Sequence, residues 1–497
     1  MGAMKTPGVY IVEKSAFPNS AVEVATAVPA FIGYTEMAVN GNVSLLNKPF
    51  RITSMAEFHA FFGGAPIPVF DLPAPADGEE PVLVCGEKKV MVQQTSVPFT
   101  LYYQMLMFYG NGGGPCYIVS VGDYKADEIS ADALKAGIDT LLKEQEPTMV
   151  LCPEAVGIKD KELCYSVQTT MLSHCGYKMR SRVAILDIFD GYKDRRDPSG
   201  DPVNAFREKI GSSFLDFGAT YYPWLNTSIV QDRDLSFLNI KTESLKELLE
   251  EELKKQPEAK QPLIQEQLDL LGTDLDTVGQ DTLNKVLTQI SPIYNAVLKE
   301  AKRILNLLAP SAAMAGVYTM VDNTRGVWKA PANVSVNSVI SPAVNITHDD
   351  QEELNVPLSG KAVNAIRTFV GEGIKVWGAR TLDGNSLDWR YINVRRTMIM
   401  LEESIKNAAR AYVFDPNVAA TWINVKSMIQ NFLNGIWKRG GLAGATPDDA
   451  FSVHVGLGDT MTPEDILEGI LRVTVLVAIV RPAEFIEITF QQQMQKS

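Results

Sequence analysis

Between residues 98 and 228 the sequence switches repeatedly between two hydrophobic periods, and this most constrains the fold. "TMVLCPEA" and "RVAILDI" are short apolar runs of strand length, whereas "ADALKAGIDTLLKE" and "KELCYSVQTTMLSHCGY" carry apolar residues at helical spacing. Strands alternating with helices of this length predict crossover connections, hence an α/β layer with a largely parallel sheet. Upstream, Gly8 to Val12 is extended in character and "VPAFIGYTE" reads as a further strand. "ITSMAEFHAFFGG" reads as a helix capped at Thr53 or Ser54 and stopped by glycines.

"YGNGGGPCYIV", residues 109–119, has the composition of a phosphate-binding loop. Its order is wrong for one. "SVPFTLYYQMLMF" precedes it as an amphipathic helix, with Ser96 as N-cap and Pro98 in the first turn, and a strand follows. A phosphate cradle runs strand, loop, helix, so that helix N–H groups face the anion. Here carbonyls at a helix C-terminus would face it instead. The expected role is a turn: Gly110 ends the helix, and Asn111 with the following glycines supplies positive φ.

Two regions interrupt the α/β pattern. Residues 65–97 are proline-rich, with a short strand around Val82 to Cys85. Residues 231–308 hold charged amphipathic helices, "TESLKELLEEELKKQ" and "LNKVLTQISPIYNAVLKEAKRILNLL". Near the C-terminus, "RRTMIMLEESIKNAARAYVF" predicts a helix with Glu402 four residues before Lys406. The next helix places Val418, Trp422, Val425, Ile429, Phe432 and Ile436 on one stripe and stops at Gly440 and Gly441. A third starts with Thr462 as cap and Pro463 at the first position. "LRVTVLVAIV" reads as a fully buried strand, and "EFIEITFQQQ" alternates apolar with polar residues.

The chain of 497 residues has room for several domains. Its net charge of −13 argues against an extended nucleic-acid surface, which needs clustered Lys and Arg. Five cysteines without a CxxC pair fit a reducing compartment and offer no zinc-ligand spacing. The N-terminus lacks an apolar signal core, and Val473 to Val480 is too short to span a bilayer. His59, His174, His348 and His454 are scattered, and His174 beside Cys175 points to a different helix face. "THDDQEE" at 347–353 lacks the glycine of a calcium loop and reads as a solvated turn. Neither a catalytic set, a cofactor nor a metal is expected. The alternative is an α/β enzyme with its site at Gly110–Gly114 and His174 or Cys175.

Both ends carry strand patterns with one apolar face. Such a strand pairs either with its own sheet or with a neighbouring subunit's sheet. Pattern alone favours its own sheet.

Eight motifs in order alter that balance: "TPGVYIVE", "VPAFIGYTE", "ITSMAEFHAFFGG", "FYGNGGGPCYIV", "ATYYPWL", "GVYTMVDNTRGVWKAPAN", "GARTLDGNSLDWRYINVRR" and "GGLAGATPDDAFSV". Together they resemble the contractile tail sheath proteins of phages and phage-tail-like injection particles, over residues 1–70, 98–228 and 311–497. The resemblance implies a mixed α/β, multidomain sheath-subunit fold. Residues 1–20 would be an N-terminal linker arm and 21–380 an outer and middle α/β domain carrying the 65–97 and 231–308 insertions. Residues 381–482, joined by part of the N-terminal segment, would be the inner C-terminal domain, and 483–497 a C-terminal arm.

The implied function is a non-enzymatic structural subunit. It polymerises as six-membered rings or a six-start helix around a rigid inner tube, and contracts to drive that tube through a target envelope. Implied partners are the chain itself, the inner tube protein, baseplate and tail terminator or cap proteins, and a sheath paralogue, with neither nucleic acid nor direct membrane insertion. Assembly would occur in the bacterial cytoplasm, as part of a phage tail or tail-like particle. By the same resemblance, Gly8, Val9, Tyr10, Ile11 and Val12, with Phe485, Ile486, Ile488 and Phe490, are linker strands. Val473, Val475, Val477 and Ile479 belong to the receiving strand. Lys426, Lys438 and Arg439, on or beside the Val418 helix, are candidates for meeting an acidic tube surface.

Overall fold

The structure, a computed structural model, describes residues 21–487. The described chain forms two compact units. The larger holds residues 25–396 and 482–487; the smaller holds 21–24 and 397–481. The chain changes unit at 396/397 and returns at 481/482, whereas the sequence placed the C-terminal domain at 381–482. The difference has a local cause. Arg380, Arg395 and Arg396 are all buried by contacts with residues numbered below 397 or with Glu484, within the larger unit.

The larger unit is built on a nine-stranded sheet. In chain order its strands are β1 (Pro29–Thr35), β2 (Phe50–Ile52), β3 (Cys116–Asp123), β4 (Met149–Leu151), β5 (Val183–Asp187), β6 (Gly218–Tyr222), β7 (Val334–Ser335), β8 (Asn364–Phe369) and β9 (Gly373–Trp377). Their spatial order is β7-β9-β8-β6-β5-β4-β1-β3-β2. The central pairings, from β3 through β1, β4, β5 and β6 to β8, are all parallel; both edges are antiparallel. The predicted parallel layer is thus present. β1, β4, β5 and β6 are buried at every residue, as a sheet covered on both faces requires.

The crossover helices start as read. Ser130 Oγ accepts from Ala133 N at 3.3 Å to cap Ala131–Thr140, and Asp160 caps Lys161–Ser173 through Glu162 N at 2.9 Å. The Lys161 helix runs on into a π-helical turn, His174–Met179, in which His174 and Cys175 are both fully buried. Met55–Phe62 is capped by Ser54, with Phe58 and Phe62 buried.

Several expectations need correction. The helix before the glycines starts at Leu101, not near Ser96. Ser96 Oγ accepts from Val69 N at 3.0 Å instead, and the buried Glu154 carboxylate accepts from Thr100 N (2.9 Å) and Leu101 N (3.1 Å). A residue remote in sequence therefore caps this helix. Residues 283–308 are two helices rather than one, Thr277–Ile290 and Pro292–Leu305. Pro292 takes the first position of the second, and Ser291 Oγ accepts from Tyr294 N at 3.0 Å. The acidic stretch between the two predicted helical segments contains a further helix, Gln261–Asp269, after Thr242–Leu253. Residues 347–353 are not a turn. Thr347 and Asp350 form a reciprocal capping box that starts the helix His348–Asn355.

The smaller unit centres on the helices Ile392–Ala409, which begins in the larger unit, and Ala419–Lys438. Of the predicted stripe, Val425, Ile429, Phe432 and Ile436 are buried, but Val418 is half exposed and Trp422 intermediate. Lys406 pairs with Glu403 (2.9 Å). Thr462 and Pro463 begin Pro463–Leu467 as expected. Two strands, β10 (Phe451–His454) and β11 (Thr474–Val477), form an antiparallel pair.

Candidate inter-subunit surfaces

The glycine-rich loop is a packed turn. Gly110 is the last helical residue, and only Gly112 among 110–114 has positive φ (94°); Asn111 sits at φ −103°, contrary to expectation. Asn111 instead knits the turn together. Its Nδ2 donates to Met107 O (2.9 Å) and Asn337 O (3.2 Å), and its Oδ1 accepts from Asn337 N (2.7 Å). The helix Ser311–Arg325 crosses so closely that a Cβ on Gly316 would lie 2.5 Å from Phe108 O. The loop is thus held by packing against that helix.

The groups of the enzymatic alternative are likewise used in packing. His174 Nε2 lies 3.3 Å from a buried Arg182 Nη1, and burial, then the Arg182 charge, lowers its pKa to about 4. Burial pushes the adjacent Cys175 thiol up to about 12, away from the reactive thiolate. All five cysteines are free and buried. Among the described residues no group of three or more His, Cys, Asp or Glu is placed to hold a metal ion, and no helix is long and apolar enough to cross a membrane.

The β10–β11 pair has different properties. Its register runs Phe451↔Val477, Ser452↔Leu476, Val453↔Val475 and His454↔Thr474. Beyond β11, Ala478 N donates to Ala450 O (2.8 Å), and the segment before the Pro447–Ala450 helix joins through Ala443 N to Ala478 O (2.7 Å) and a Leu442–Ile479 bridge. Sequence reading made this run a fully buried strand. The structure corrects that: Val473, Val475, Val477 and Ile479 are half-buried, and Leu476 is 59% exposed. Among the described residues this sheet has two strands only, so each has an outer edge without a third strand. A two-stranded sheet with an apolar face is marginal by itself.

The arm residues are only partly in view. Gly8 to Val12, Ile488 and Phe490 lie outside the described residues. Phe485 and Ile486 are 76% and 79% exposed, in extended chain that is not part of any sheet here. Just before them, Glu484 is held tightly. Arg380 Nε donates to Oε1 (2.9 Å) and Nη2 to Oε2 (2.6 Å), Asn355 Nδ2 donates to Oε1 (2.9 Å) and Tyr391 Oη to Oε2 (3.0 Å). The segment 482–487 lies in the larger unit beside a groove of about 980 Å3 that Trp377 and Val356 also line. Sequence reading missed this contact. Arg380 is distant in sequence from Glu484, and neither stands in a motif that names its partner.

The three candidate cations are not one cluster. Lys426 is half-buried midway along Ala419–Lys438, while Lys438 and Arg439 sit at its exposed C-terminal end. Twelve residues separate Lys426 from Lys438, roughly 18 Å along the helix and about 120° around it. Arg439 forms an ion pair with Glu23.

Residues 385–493 match the family described as phage tail sheath C-terminal domain. Over 99% of its length the chain is similar to the anti-feeding prophage (AFP) helical sheath in its contracted state. That likeness has 27% identity and a TM-score of 0.61, and spans 100% of that chain. It is equally similar to the contracted sheath complex of the extracellular contractile injection system PVC, with 27% identity, 99% of each chain and a TM-score of 0.60. Among curated proteins, the tail sheath protein of Enterobacteria phage T4 is 24% identical over 139 residues, 28% of this chain. A putative prophage major tail sheath protein of Pseudomonas aeruginosa is 24% identical over 134 residues, 26% of this chain. These two matches span 21% and 33% of those relatives' own length.

Proposed function

We propose that this chain, a member of the contractile tail sheath family through its C-terminal domain, polymerises around a rigid inner tube and contracts to drive that tube through a target envelope. The carrying observation is the likeness to contracted sheaths along nearly the whole chain. In this reading subunits form six-membered rings or a six-start helix. They assemble in the bacterial cytoplasm on a baseplate, with a terminator or cap protein above, and a sheath paralogue is admitted as copolymer. The work is mechanical, and catalysis has no part in it.

The subunits are joined by strand exchange. Gly8 to Val12 of one neighbour and Phe485 to Phe490 of another add to the outer edges of the β10–β11 pair, β11 carrying Val475 and Val477 of the receiving run. Each added strand contributes a handful of backbone hydrogen bonds worth about 1 kcal/mol net apiece. A single joint is weak, but repetition around a ring makes a continuous fabric. Two features support this assignment: the open edges of a two-stranded sheet, and the exposure of Phe485 and Ile486, which gain by burial. Arms added as extended strands would let bodies rotate past one another while the joints persist.

Electron microscopy of the purified chain tests the reading, with long cylinders as the expected result. Removing residues 1–14 leaves a folded subunit that no longer polymerises; normal cylinders from that variant would refute the arm assignment.

A further inference from the structure

The segment Pro482–Glu487 makes no backbone–backbone hydrogen bond with the described residues, and its polar contacts with them all run through one group, the Glu484 carboxylate. Pro482 and Glu484 are intermediate in exposure, while Ala483, Phe485, Ile486 and Glu487 are exposed. Glu484 is thus the single plug in an otherwise loose strip. Each carboxylate oxygen accepts two hydrogen bonds, which saturates it, and the two from Arg380 form the fork–fork pair that is strongest and most directional. Arg380 is itself rigid. Its side chain is 3% exposed, its Nη1 donates to Asn355 O at 3.0 Å, and its backbone N donates to Asn364 Oδ1 at 2.7 Å. Asn364 begins β8, so the chain of contacts ends in the nine-stranded sheet.

From this geometry we infer that Glu484 is a positioning residue: it fixes the root of the C-terminal arm to the sheet of the larger unit, so that tension on the arm passes through Arg380 into that sheet. The exchangeable part of the arm begins at Phe485, the first residue beyond the plug. A bidentate pair on a buried guanidinium suits tension, because both bonds must lengthen together before either breaks. That Glu484 passes tension to the sheet rests on the sheath reading; that it holds the segment in place does not.

The experiment uses the full chain and separates the two. All five native cysteines are buried, so a nitroxide on Phe485→Cys reports the segment selectively. In the free subunit the label is motionally restricted. Glu484→Ala frees it to the mobility of an unfolded tail, and Glu484→Gln, which keeps the shape and loses the charge, gives an intermediate spectrum. Glu484→Ala leaves the buried Arg380 guanidinium without its carboxylate and lowers the unfolding temperature, so all spectra are recorded well below the lowest transition. Unchanged mobility in Glu484→Ala overturns the anchor. In the second arm, sheath yield after pelleting in increasing urea, kept below the unfolding midpoint of both subunits, falls at least tenfold for Glu484→Ala relative to the parent. Equal yields overturn the passage of tension through Glu484. If the parent itself forms no cylinders, the sheath reading fails, and the label spectra alone decide the anchor.

Discussion

Arg396 and Asp322 form a fork–fork ion pair inside the larger unit, with Nη1 donating to Oδ1 at 3.0 Å and Nη2 to Oδ2 at 2.6 Å. Their side chains are 4% and 2% exposed. Thr26 completes the arrangement, its Oγ1 donating to Asp322 Oδ2 (2.7 Å) and its carbonyl accepting from Arg396 Nη2 (3.0 Å). The guanidinium lies 4.7 Å from the centroid of the Tyr318 ring. Removing one partner strands a buried charge, which costs about 3–5 kcal/mol. Asp322→Ala should therefore lower the urea midpoint of the larger unit clearly, and the double variant with Arg396→Met should recover part of that loss. A double variant no better than the single one would show that the charge is not what matters.

The Gly316 crossing gives a second expectation. A Cβ there would meet Phe108 O at 2.5 Å and the Asn111 Cβ at 2.8 Å, and the first of these is backbone that cannot swing aside. Gly316→Ala should destabilise by about 1–3 kcal/mol in spite of the better helix propensity of alanine. Gly110→Ala, whose Cβ would have only the Ser338 Oγ nearby at 3.5 Å, should be far milder. Comparing the two unfolding midpoints checks that this loop serves close packing.

Two buried carboxylates set a pH dependence. Burial pushes Glu154 and Asp187 up to about 7 each, against ordinary values of 4.5 and 3.8. The folded chain holds extra protons between those limits. Their contribution is therefore full at acidic pH and lost as pH rises through 7. His174 works the other way: lowered to about 4, it costs stability as pH falls below its ordinary 6.5. Between pH 6 and pH 8 each carboxylate loses about 1.4 kcal/mol, and the relief of the His174 cost, which the unfolded chain releases around its ordinary 6.5, offsets part of that loss. Glu154→Gln should be less stable at every pH, because its single amide oxygen cannot accept both from Tyr34 N, as Oε2 does at 2.7 Å, and from Thr100 N and Leu101 N, as Oε1 does. It should also show less than half the parent's net decline between pH 6 and 8, because the His174 relief then offsets most of what Asp187 loses. An undiminished decline would mean that Glu154 titrates elsewhere.

Charge reversal tests the tube contact. Lys438 is exposed at the helix end, whereas Arg439 is engaged with Glu23. Lys438→Glu should reduce assembly on tubes and leave stability unchanged, while Arg439→Glu should lower both. Lys426→Glu, on another helix face, should act independently of the pair. Assembly unaffected by the triple variant would remove these residues from the interface.

What the sequence disclosed was local. The parallel layer, the Ser54 and Thr462 caps and the turn after Gly110 are legible because periodicity and capping chemistry operate within a few residues. What stayed hidden depends on tertiary neighbours. Nothing near Leu101 announces that Glu154 will cap its helix, nor that Asp187 will accept from Ser311 N at 3.0 Å. The run from Val473 to Val480 shows the deeper limit. An apolar strand buried in its own domain and one awaiting a partner have the same composition, so "LRVTVLVAIV" was read as interior although Leu476 faces solvent. The linker residues were reached through motif resemblance; their pattern alone favoured pairing within the subunit.

The return of the chain to the larger unit at Pro482 bears on biosynthesis. The nine-stranded sheet is complete once Trp377 has been made, yet Glu484 leaves the ribosome only after the entire smaller unit. A nascent or prematurely ended chain thus owns a finished socket at Arg380 with nothing to plug it. Translation must pass the last residue of the smaller unit before the clamp can close, which makes it one of the latest contacts of the larger unit to form during synthesis.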